Sequence, residues 1–575
     1  MLLAFVILVA VVAVAVVTAL AQRLGVAGPL MLVALGLVVG LMPFVHLPAI
    51  APEWILAGVL PPLLYSSAVN LPAIEFRRDL RAIMGLSVLL VVLSSLLLGL
   101  FFWAAIPSVG LPLGIALGAI VSPTDAVATS IAKRLGIAPR VVTMLEGESL
   151  LNDATALVLL RTAIVAIAGS FSLWGAAGAF LWGILIAAVA GGVVGWVLVK
   201  LRGLVRHSAA STAIGFTVPF LAYLPAEELH GSGLVAAVVA GIVAGQGAPR
   251  LFTPEQRLSD RMTWHTVELV LEGGIFLLMG LQLKEIVTAN LEHDEGLWTP
   301  VWVAAVALVI VVASRTGYVT LIVWIQGRRA DRMNRGAFEK LSRKIDEVAA
   351  GERPLPQRHG VPSTPEKRQQ RVRGWQTRIT RALNDIDYYQ SARLGWKHGA
   401  VIVWAGMRGA VTLAAAQTLT DAQTDGHRAL LVFVAFLVAV VSLMLQGFTL
   451  PWLVRRLRMD DGDPADDEEH ARLFSALWDA GQEVLADPGL VDRTGNPFPP
   501  DMLARMQRRA QLRTDDDDGS VLRTAGELRL VVIDAQRRRL DALARGGEYS
   551  SAELRRALNE LDAEQLSLQV RLGEE

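Results

Sequence analysis

Long apolar runs separated by short polar stretches dominate the first 326 residues, and they return between about residues 398 and 454. A helix needs about 20 apolar residues to cross the hydrocarbon core of a bilayer, so each such run predicts a transmembrane helix. The pattern predicts about thirteen spans, of which two are short for a crossing, 54–69 and 210–224. The predicted spans are 3–21, 27–43, 54–69, 82–105, 111–131, 142–168, 174–199, 210–224, 231–248, 264–283, 299–325, 398–418 and 429–454.

The basic residues of the connecting loops alternate in a way that supports this count. The odd-numbered loops up to the ninth hold thirteen Lys and Arg, whereas the even-numbered loops hold only Lys284 and Arg428. By the positive-inside rule the odd loops are cytoplasmic, which predicts an outside N-terminus and a cytoplasmic C-terminus. Removing one short span would place the later basic loops outside, so the alternation favours keeping both.

Composition narrows the class of protein. The chain has 575 residues, no cysteine, a hydrophobic fraction of 53%, a charged fraction of 18% and a mean hydropathy of +0.47. The charged fraction is below the roughly one quarter that is usual in soluble proteins. Disulfide scaffolds, cysteine zinc sites and thiol nucleophiles are excluded, and the balanced net charge indicates no nucleic-acid partner. The composition is typical of an all-α polytopic membrane protein.

Two stretches of the chain are polar and face water. Segment 327–397 holds seventeen Lys and Arg against eight Asp and Glu, and we expect a cytoplasmic basic insert close to anionic headgroups. Residues 457–575 have helical spacing and no phosphate-binding loop, which predicts a small helical cytoplasmic domain.

Several ionisable residues fall inside the predicted spans. A charge at mid-bilayer costs about 2.5–3.5 kcal/mol on insertion scales, so these side chains must face one another or a wet cavity, and a functional pathway is the default hypothesis. They are Asp125, Glu148, Asp153, Arg161, Glu268, Glu272, Arg315 and Arg408.

The sixth span carries the densest polar pattern. Glu148 and Asn152 are four residues apart, as are Ser149 and Asp153, which places all four on one helix face. Carboxylate, hydroxyl and amide oxygens are ligands suited to a hard or monovalent cation. A polar face satisfied by neighbouring helices is the alternative interpretation, and bilayer depth favours a functional site.

Two other spans contain signals for a broken helix. Pro123 in the fifth span removes a backbone donor, which predicts an interruption where Thr124 is a candidate ligand and Asp125 meets a helix N-terminus. Gly406 and Gly409 flank Arg408 in the twelfth span and predict a second interruption. Interrupted helices in matching positions of two halves are the mark of an inverted-repeat transporter.

The remaining buried charges need partners. Arg315 in the eleventh span requires a carboxylate, and we choose Glu148, because that choice leaves Asp153 free. Arg161 lies two turns beyond Asp153, where an interfacial or packing role is favoured. Glu268 and Glu272, which share a face of the tenth span, either line an acidic cavity mouth or pair with neighbours.

Four motifs resemble those of the monovalent cation:proton antiporters, in the branch of bacterial sodium/proton exchangers related to animal sodium/hydrogen exchangers. The resemblance covers residues 1–456, a transmembrane domain. The motifs are Ser122–Ala128, Glu146–Asp153, Phe276–Leu283 and Trp404–Val411.

The resemblance implies a fold and a set of roles. The fold has inverted repeats and two crossing interrupted helices, with core helices at about 82–168 and 299–454. An interface half at about 1–69 and 174–283 implies a homodimer. By resemblance Asp153 is the exchanging carboxylate and Asn152 its neutral neighbour. The other implied roles are ion-site positions for Glu148, Ser149 and Thr124, with Na⁺ held by Asp153, Ser149 and Thr124, and electrostatic or structural roles for Asp125, Arg315 and Arg408.

The resulting functional expectation is exchange of Na⁺, or of Li⁺ or K⁺, for H⁺ across the cytoplasmic (inner) membrane. Asn152 in place of a second aspartate implies electroneutral exchange, in which cation and proton compete for Asp153. We expect no cofactor and no enzymatic activity. The alternatives are a potassium efflux antiporter or channel-like cation transporter and, more distantly, a membrane-embedded hydrolase using Asp125 and Asp153. The expected partners are monovalent cations, protons, lipid and a second copy of the chain.

Overall fold

The structure, a computed structural model, divides into two compact units. One comprises Met1–Ile325 with Leu394–Gly462, and the other Gln326–Arg393 with Asp463–Glu575. The residues that the structure describes are 2–24, 26–42, 53–125, 127–167, 173–292, 297–332, 378, 380–386, 388–389, 394–424, 426–459, 464–487, 489–490, 497–498, 504 and 519–572.

The first unit is built from helices. A π-helical turn, Trp54–Val59, leads into α3, and a second one, Gly85–Leu89, joins α4 to α5. The helices are α1 (Leu2–Leu24), α2 (Gly28–Gly40), α3 (Leu60–Val69), α4 (Ala73–Met84), α5 (Leu90–Ala105), α6 (Leu111–Val121), α7 (Val127–Arg134), α8 (Pro139–Ile167), α9 (Leu173–Leu204), α10 (Ser208–Glu228), α11 (Gly233–Leu251), α12 (Pro254–Leu281), α13 (Leu283–Glu292), α14 (Trp298–Arg332), α15 (Trp396–Trp404), α16 (Ala410–Gln417) and α17 (Arg428–Leu457).

Nine of the helices formed by the described residues are long and apolar enough to cross a bilayer, and three shorter apolar helices accompany them. Each predicted span overlaps one of these helices or an interrupted pair, including the two short ones, which lie in Trp54–Val69 and Ser208–Glu228. The all-helical fold is therefore confirmed, while the number of thirteen crossings stays a prediction.

The fourth span begins earlier than its apolar run indicates. Arg77, Arg78 and Arg81, which the sequence assigns to a loop, lie on α4, whose helix continues without a break into α5. One face of α4 is buried and includes Asp79, which accepts hydrogen bonds of 2.9 and 2.8 Å from the Arg140 guanidinium. This buried ion pair stabilises a polar helix start that hydropathy alone does not reveal.

Two larger apolar clusters organise the first unit, and a smaller third one packs Leu150 of α8 against α3 and α11. The larger cluster contains residues of α5 to α8 and of α14 to α17, together with parts of α1, α2, α4, α12 and α13. The second cluster joins α3, α9, α10 and α11 to α12. In it, the ring centroids of Tyr65 and Trp264 are 5.0 Å apart. Apolar residues of α8, among them Val141, Met144 and Leu160, belong to the larger cluster, and α10 belongs to the second.

Glycines bring α9 and α11 into close contact in the second cluster. A Cβ built on Gly191 would overlap the Ala236 carbonyl oxygen, and one on Gly195 would lie 3.0 Å from Ala240 Cα. Small residues that let backbones approach are the usual means of helix association in lipid. The neighbouring Gly192 has nothing within 4 Å of such a Cβ.

The second unit contains α18 (Pro464–Leu485), α19 (Gly519–Gly546) and α20 (Ser551–Leu572), in the polar tail. Arg529 on α19 forms a bidentate ion pair with Glu564 on α20, at 2.6 and 2.8 Å. Part of the basic insert contacts α19, where Arg381 Nε donates a hydrogen bond of 2.6 Å to the Arg545 carbonyl. This donor satisfies a carbonyl that the end of α19 leaves without an intrahelical partner.

We predict opposite outcomes for the two adjacent glycines of α9. Gly191→Ala should lower stability by about 1–3 kcal/mol, because the added methyl group forces α9 away from α11. Gly192→Ala is the matched control and should leave stability unchanged or slightly raised, since alanine is the better helix former. Thermal unfolding of both variants in detergent tests this, and equal melting temperatures would contradict the close packing.

Candidate functional site

The first interrupted helix is formed by α6 and α7. Residues Ser122 to Asp125 are not helical, and Pro123 has no N–H to continue the helix. Asp125 Oδ1 accepts a hydrogen bond of 3.0 Å from the Val127 N–H at the start of α7. The carboxylate therefore caps the second half-helix, as its negative charge favours.

The second interruption, between α15 and α16, lies against the first. The Asp125 N–H donates to the Met407 carbonyl at 2.7 Å. The Arg408 guanidinium donates to the carbonyls of Val121 and Ser122, each at 3.2 Å. These carbonyls end α6 and have no intrahelical donor, so the arginine satisfies backbone groups that lipid could not.

The close contact between the two interruptions requires glycine at positions 406 and 409. A Cβ built on Gly409 would overlap the Asp125 carboxylate, and one on Gly406 would lie 2.5 Å from Arg315 Nε. No larger residue fits at either position without displacing a charged group. The Asp125 carboxylate thus also lies beside the positive N-terminal end of α16.

Glu148 and Arg315 form a buried ion pair beside the crossing. Their side chains are 2% and 3% exposed, and Arg315 NH2 lies 2.8 Å from Glu148 Oε2, while NH1 contacts Oε1. Thr124 Oγ1 donates to Glu148 Oε1 at 3.2 Å, and Arg315 Nε donates to the Ile402 carbonyl at 3.0 Å. The pair therefore links α8 and α14 to both interrupted helices.

Asn152 and Thr124 extend this network. Asn152 Nδ2 donates to Thr124 Oγ1 at 2.6 Å and to the Thr124 carbonyl at 3.2 Å. Asn152 is fully buried, and its Oδ1 has no hydrogen-bond partner among the residues that the structure describes. Ser149 Oγ donates to the Glu146 carbonyl of its own helix at 3.2 Å, which leaves its lone pairs available.

Asp153 differs from every other charged group at the crossing. It is 9% exposed, and within the described part of the chain its carboxylate has no hydrogen bond and no ion pair. It interacts electrostatically with Asp125. A buried carboxylate without a partner is costly, so a bound proton or cation would stabilise it.

Further carboxylates continue from Asp125 toward one end of α8. Glu272 interacts electrostatically with Asp125 and Glu268, and Glu268 does so with Glu146. Glu146 pairs with the exposed Lys133 at the end of α7. Glu268 also accepts a hydrogen bond of 3.5 Å from Ser66 Oγ and interacts with His265 and Lys133, so both interpretations, an acidic approach to the site and pairing with neighbours, stay predictions.

The structure brings together Thr124, Glu148, Asn152 and Arg315 in one hydrogen-bonded chain, with Asp125 and Arg408 holding the adjacent backbones. Two contributions were missed from the sequence. Ser442 Oγ on α17 accepts from the Arg408 N–H at 3.0 Å, and the Asp79–Arg140 pair anchors the start of α8. For Ser442, the sequence offers one indication, a single serine within an apolar span. For the Asp79–Arg140 pair, no local pattern in the sequence indicates that the two residues are partners.

Two interrupted helices that meet near a buried carboxylate, with no partner for it in the described part of the chain, are the arrangement of a secondary transporter for cations. A profile of the family described as "sodium/hydrogen exchanger, transmembrane" matches residues 8–349 and 375–456. The chain belongs to this family, which confirms the resemblance seen in its motifs. It is a multi-pass membrane antiporter for monovalent cations and protons.

Individual relatives agree with this assignment. An uncharacterized Na⁺/H⁺ exchanger of Mycobacterium tuberculosis is 29% identical over 98% of this chain and 96% of its own length. The uncharacterized Na⁺/H⁺ exchanger YjcE of Escherichia coli is 28% identical over 93% and 92%. The sodium proton antiporter MjNhaP1 of Methanocaldococcus jannaschii shares the fold, with a TM-score of 0.52 and 17% identity over 78% of this chain and 97% of that one.

We predict that Glu148→Ala damages folding more than cation affinity. The substitution leaves the Arg315 guanidinium buried without its counter-charge, a change that costs about 3–5 kcal/mol. Thermal unfolding and purified yield measure the effect, with Glu228→Ala as an exposed control that loses a glutamate of the same size. A variant with unchanged stability and merely weaker sodium affinity would show that Glu148 is a ligand and not a structural partner.

Proposed function

We propose that the protein exchanges Na⁺ for H⁺ one for one, with Asp153 as the carboxylate that holds either ion. The observation that carries this proposal is the distribution of partners at the crossing. Glu148, Asp125, Arg315 and Arg408 are engaged with other groups, whereas Asp153 is buried with none among the described residues.

The proposed sodium ligands are oxygen atoms near this carboxylate. Asp153, Ser149 and Thr124 supply a carboxylate and two hydroxyls, a set that suits a hard cation. Asn152 Oδ1 is a further neutral oxygen without a protein partner among the described residues. Glu148 acts through Thr124 and Arg315 by fixing their positions rather than by binding the ion.

Competition at one carboxylate couples the two fluxes. Binding of a cation requires a deprotonated ligand, so the same side chain cannot hold both ions at once. Because Asn152 is neutral, only one of the two adjacent side chains changes charge, which supports electroneutral exchange. The gradient of one ion then drives the other, and neither a cofactor nor ATP is needed.

Access to the site is proposed to alternate between the two membrane faces. The core helices, α5 to α8 and α14 to α17, would move relative to the interface half, α1 to α3 and α9 to α12. The carboxylates of Glu272, Glu268 and Glu146 would attract cations from the cytoplasmic side, where the positive-inside rule places the start of α8. We propose that the protein lies in the cytoplasmic (inner) membrane, with its N-terminus outside and its C-terminus in the cytoplasm.

Assembly and cation preference are also proposals. A homodimer formed through α1 to α3 and α9 to α12 rests on the family resemblance. An antiporter of Bacillus subtilis, 31% identical over 45% of this chain, is named for sodium, potassium, lithium and rubidium. Sodium is the cation proposed here, and a selectivity series in proteoliposomes decides between it and potassium.

Two other functions are less well supported. A channel or uncoupled potassium pathway would show conductance, whereas an exchanger shows saturable counter-flow. A hydrolase would need Asp125 and Asp153 to act as a pair, yet Asp125 is held by the Val127 N–H and the start of α16. We therefore propose transport without enzymatic activity.

We predict that Asp153→Asn abolishes exchange while the protein still inserts and folds. Asparagine preserves the size of the side chain but can neither release a proton nor neutralise a cation. Sodium-driven proton flux in proteoliposomes should fall to the level of empty vesicles, while Asp421→Asn, an exposed control, should retain full activity. Sodium-dependent flux from a folded Asp153→Asn protein would refute the assignment.

We also predict that the half-saturating sodium concentration rises as pH falls. Where the carboxylate is mostly protonated, competition raises the half-saturating sodium concentration about tenfold for each unit by which the pH falls. The measurement is flux against sodium concentration at several pH values with equal pH on both sides. Sodium affinity that did not change with pH would mean that the two ions use separate sites.

A further inference from the structure

Arg161, for which the sequence favours an interfacial or packing role, makes a defined contact. Its NH2 lies 2.9 Å from Glu227 Oε2. Arg161 lies on α8, the helix that carries the candidate site and packs in the larger cluster. Glu227 lies on α10, which packs in the second cluster. The ion pair therefore joins the two groups of helices that the proposed transport cycle must separate.

Glu227 is fixed within its own group of helices. Its other oxygen, Oε1, accepts a hydrogen bond of 2.9 Å from the Gly233 N–H at the start of α11. This bond remains if Arg161 leaves, because both of its partners lie in the second group. The side chain of Arg161 is 57% exposed and lies near the C-terminal end of α8, from which a long arginine side chain can extend to the membrane interface after separation. Breaking the pair leaves neither group buried without a partner.

The pair lies at the end of α8 away from the proposed acidic approach. Glu146, in that approach, and Arg161 are fifteen residues apart on one continuous helix, about 22 Å along its axis. Asp153 lies between them. The ion pair lies at the Arg161 end of α8, and the carboxylates lie near the Glu146 end. This arrangement corresponds to a site that is closed on the Arg161 side.

We propose that Arg161 and Glu227 form a latch that closes this side of the site and must open once in each transport cycle. The inference rests on the proposed alternating access. An ion pair with side chains 57% and 25% exposed contributes little to stability, in contrast to the buried Glu148–Arg315 pair. It is thus suited to repeated opening, and it biases the equilibrium between the two access states by up to about fivefold.

A reversible cross-link tests the need for opening. The chain has no cysteine, so the double variant Arg161→Cys with Glu227→Cys reacts only there. A bifunctional methanethiosulfonate reagent should reduce sodium-driven proton flux at least tenfold, and a reductant should restore it. The matched control is Thr212→Cys with Ser259→Cys, whose hydroxyls lie 3.1 Å apart on two helices of the second group. The cross-linked control should transport normally.

The result separates the latch from the underlying function. If the cross-linked Arg161→Cys, Glu227→Cys protein exchanges at its uncross-linked rate, the latch is refuted while the proposed exchange stands. If the unaltered chain shows no sodium–proton exchange under the same conditions, the proposed function fails, and the latch fails with it.

Charge substitution provides a second test that needs no cross-link. Arg161→Gln should shift the half-saturating sodium concentrations measured from the two sides in opposite directions, by up to about fivefold. Arg161→Lys keeps the charge and should remain close to the unaltered protein. Unchanged values in Arg161→Gln, or equal shifts in both variants, would overturn the electrostatic latch.

Discussion

The structure depends on the requirement that polar groups at bilayer depth find partners within the protein, because lipid offers none. The two interrupted helices each expose backbone groups, and each supplies what the other lacks. The Asp125 N–H reaches the Met407 carbonyl, and Arg408 reaches the carbonyls that end α6. The glycines of the second interruption make room for this exchange, so the crossing itself is a consequence of hydrogen-bond satisfaction.

The same requirement separates the structural charges from the carboxylate that we propose exchanges ions. Glu148 and Arg315 neutralise each other, and Thr124 and the Ile402 carbonyl complete their hydrogen bonds. A group so fully engaged cannot change its charge without disturbing four helices. Asp153, one turn further along α8, lacks such partners among the described residues and is the group for which a proton or cation makes the largest difference.

Ion pairs of different burial serve different purposes in this molecule. The Glu148–Arg315 and Asp79–Arg140 pairs are almost inaccessible to water and connect helices within the larger cluster. The Arg161–Glu227 pair is partly exposed at the surface of the protein and connects helices of the two clusters. Burial raises the cost of breaking a pair, so the exposed pair is the one suited to the opening that the proposed latch requires.

Sequence alone determined the helical membrane fold, the positions of both interruptions and the polar face of α8. These follow from local properties: hydropathy over one span, the missing N–H of Pro123, and the face on which residues four apart project. The tertiary structure decided the partners. It paired Asp79 with Arg140 and Arg161 with Glu227, and it turned the Ser149 hydroxyl toward its own helix. Partners tens to hundreds of residues apart depend on how helices pack, whereas helical spacing fixes only the direction in which a side chain points.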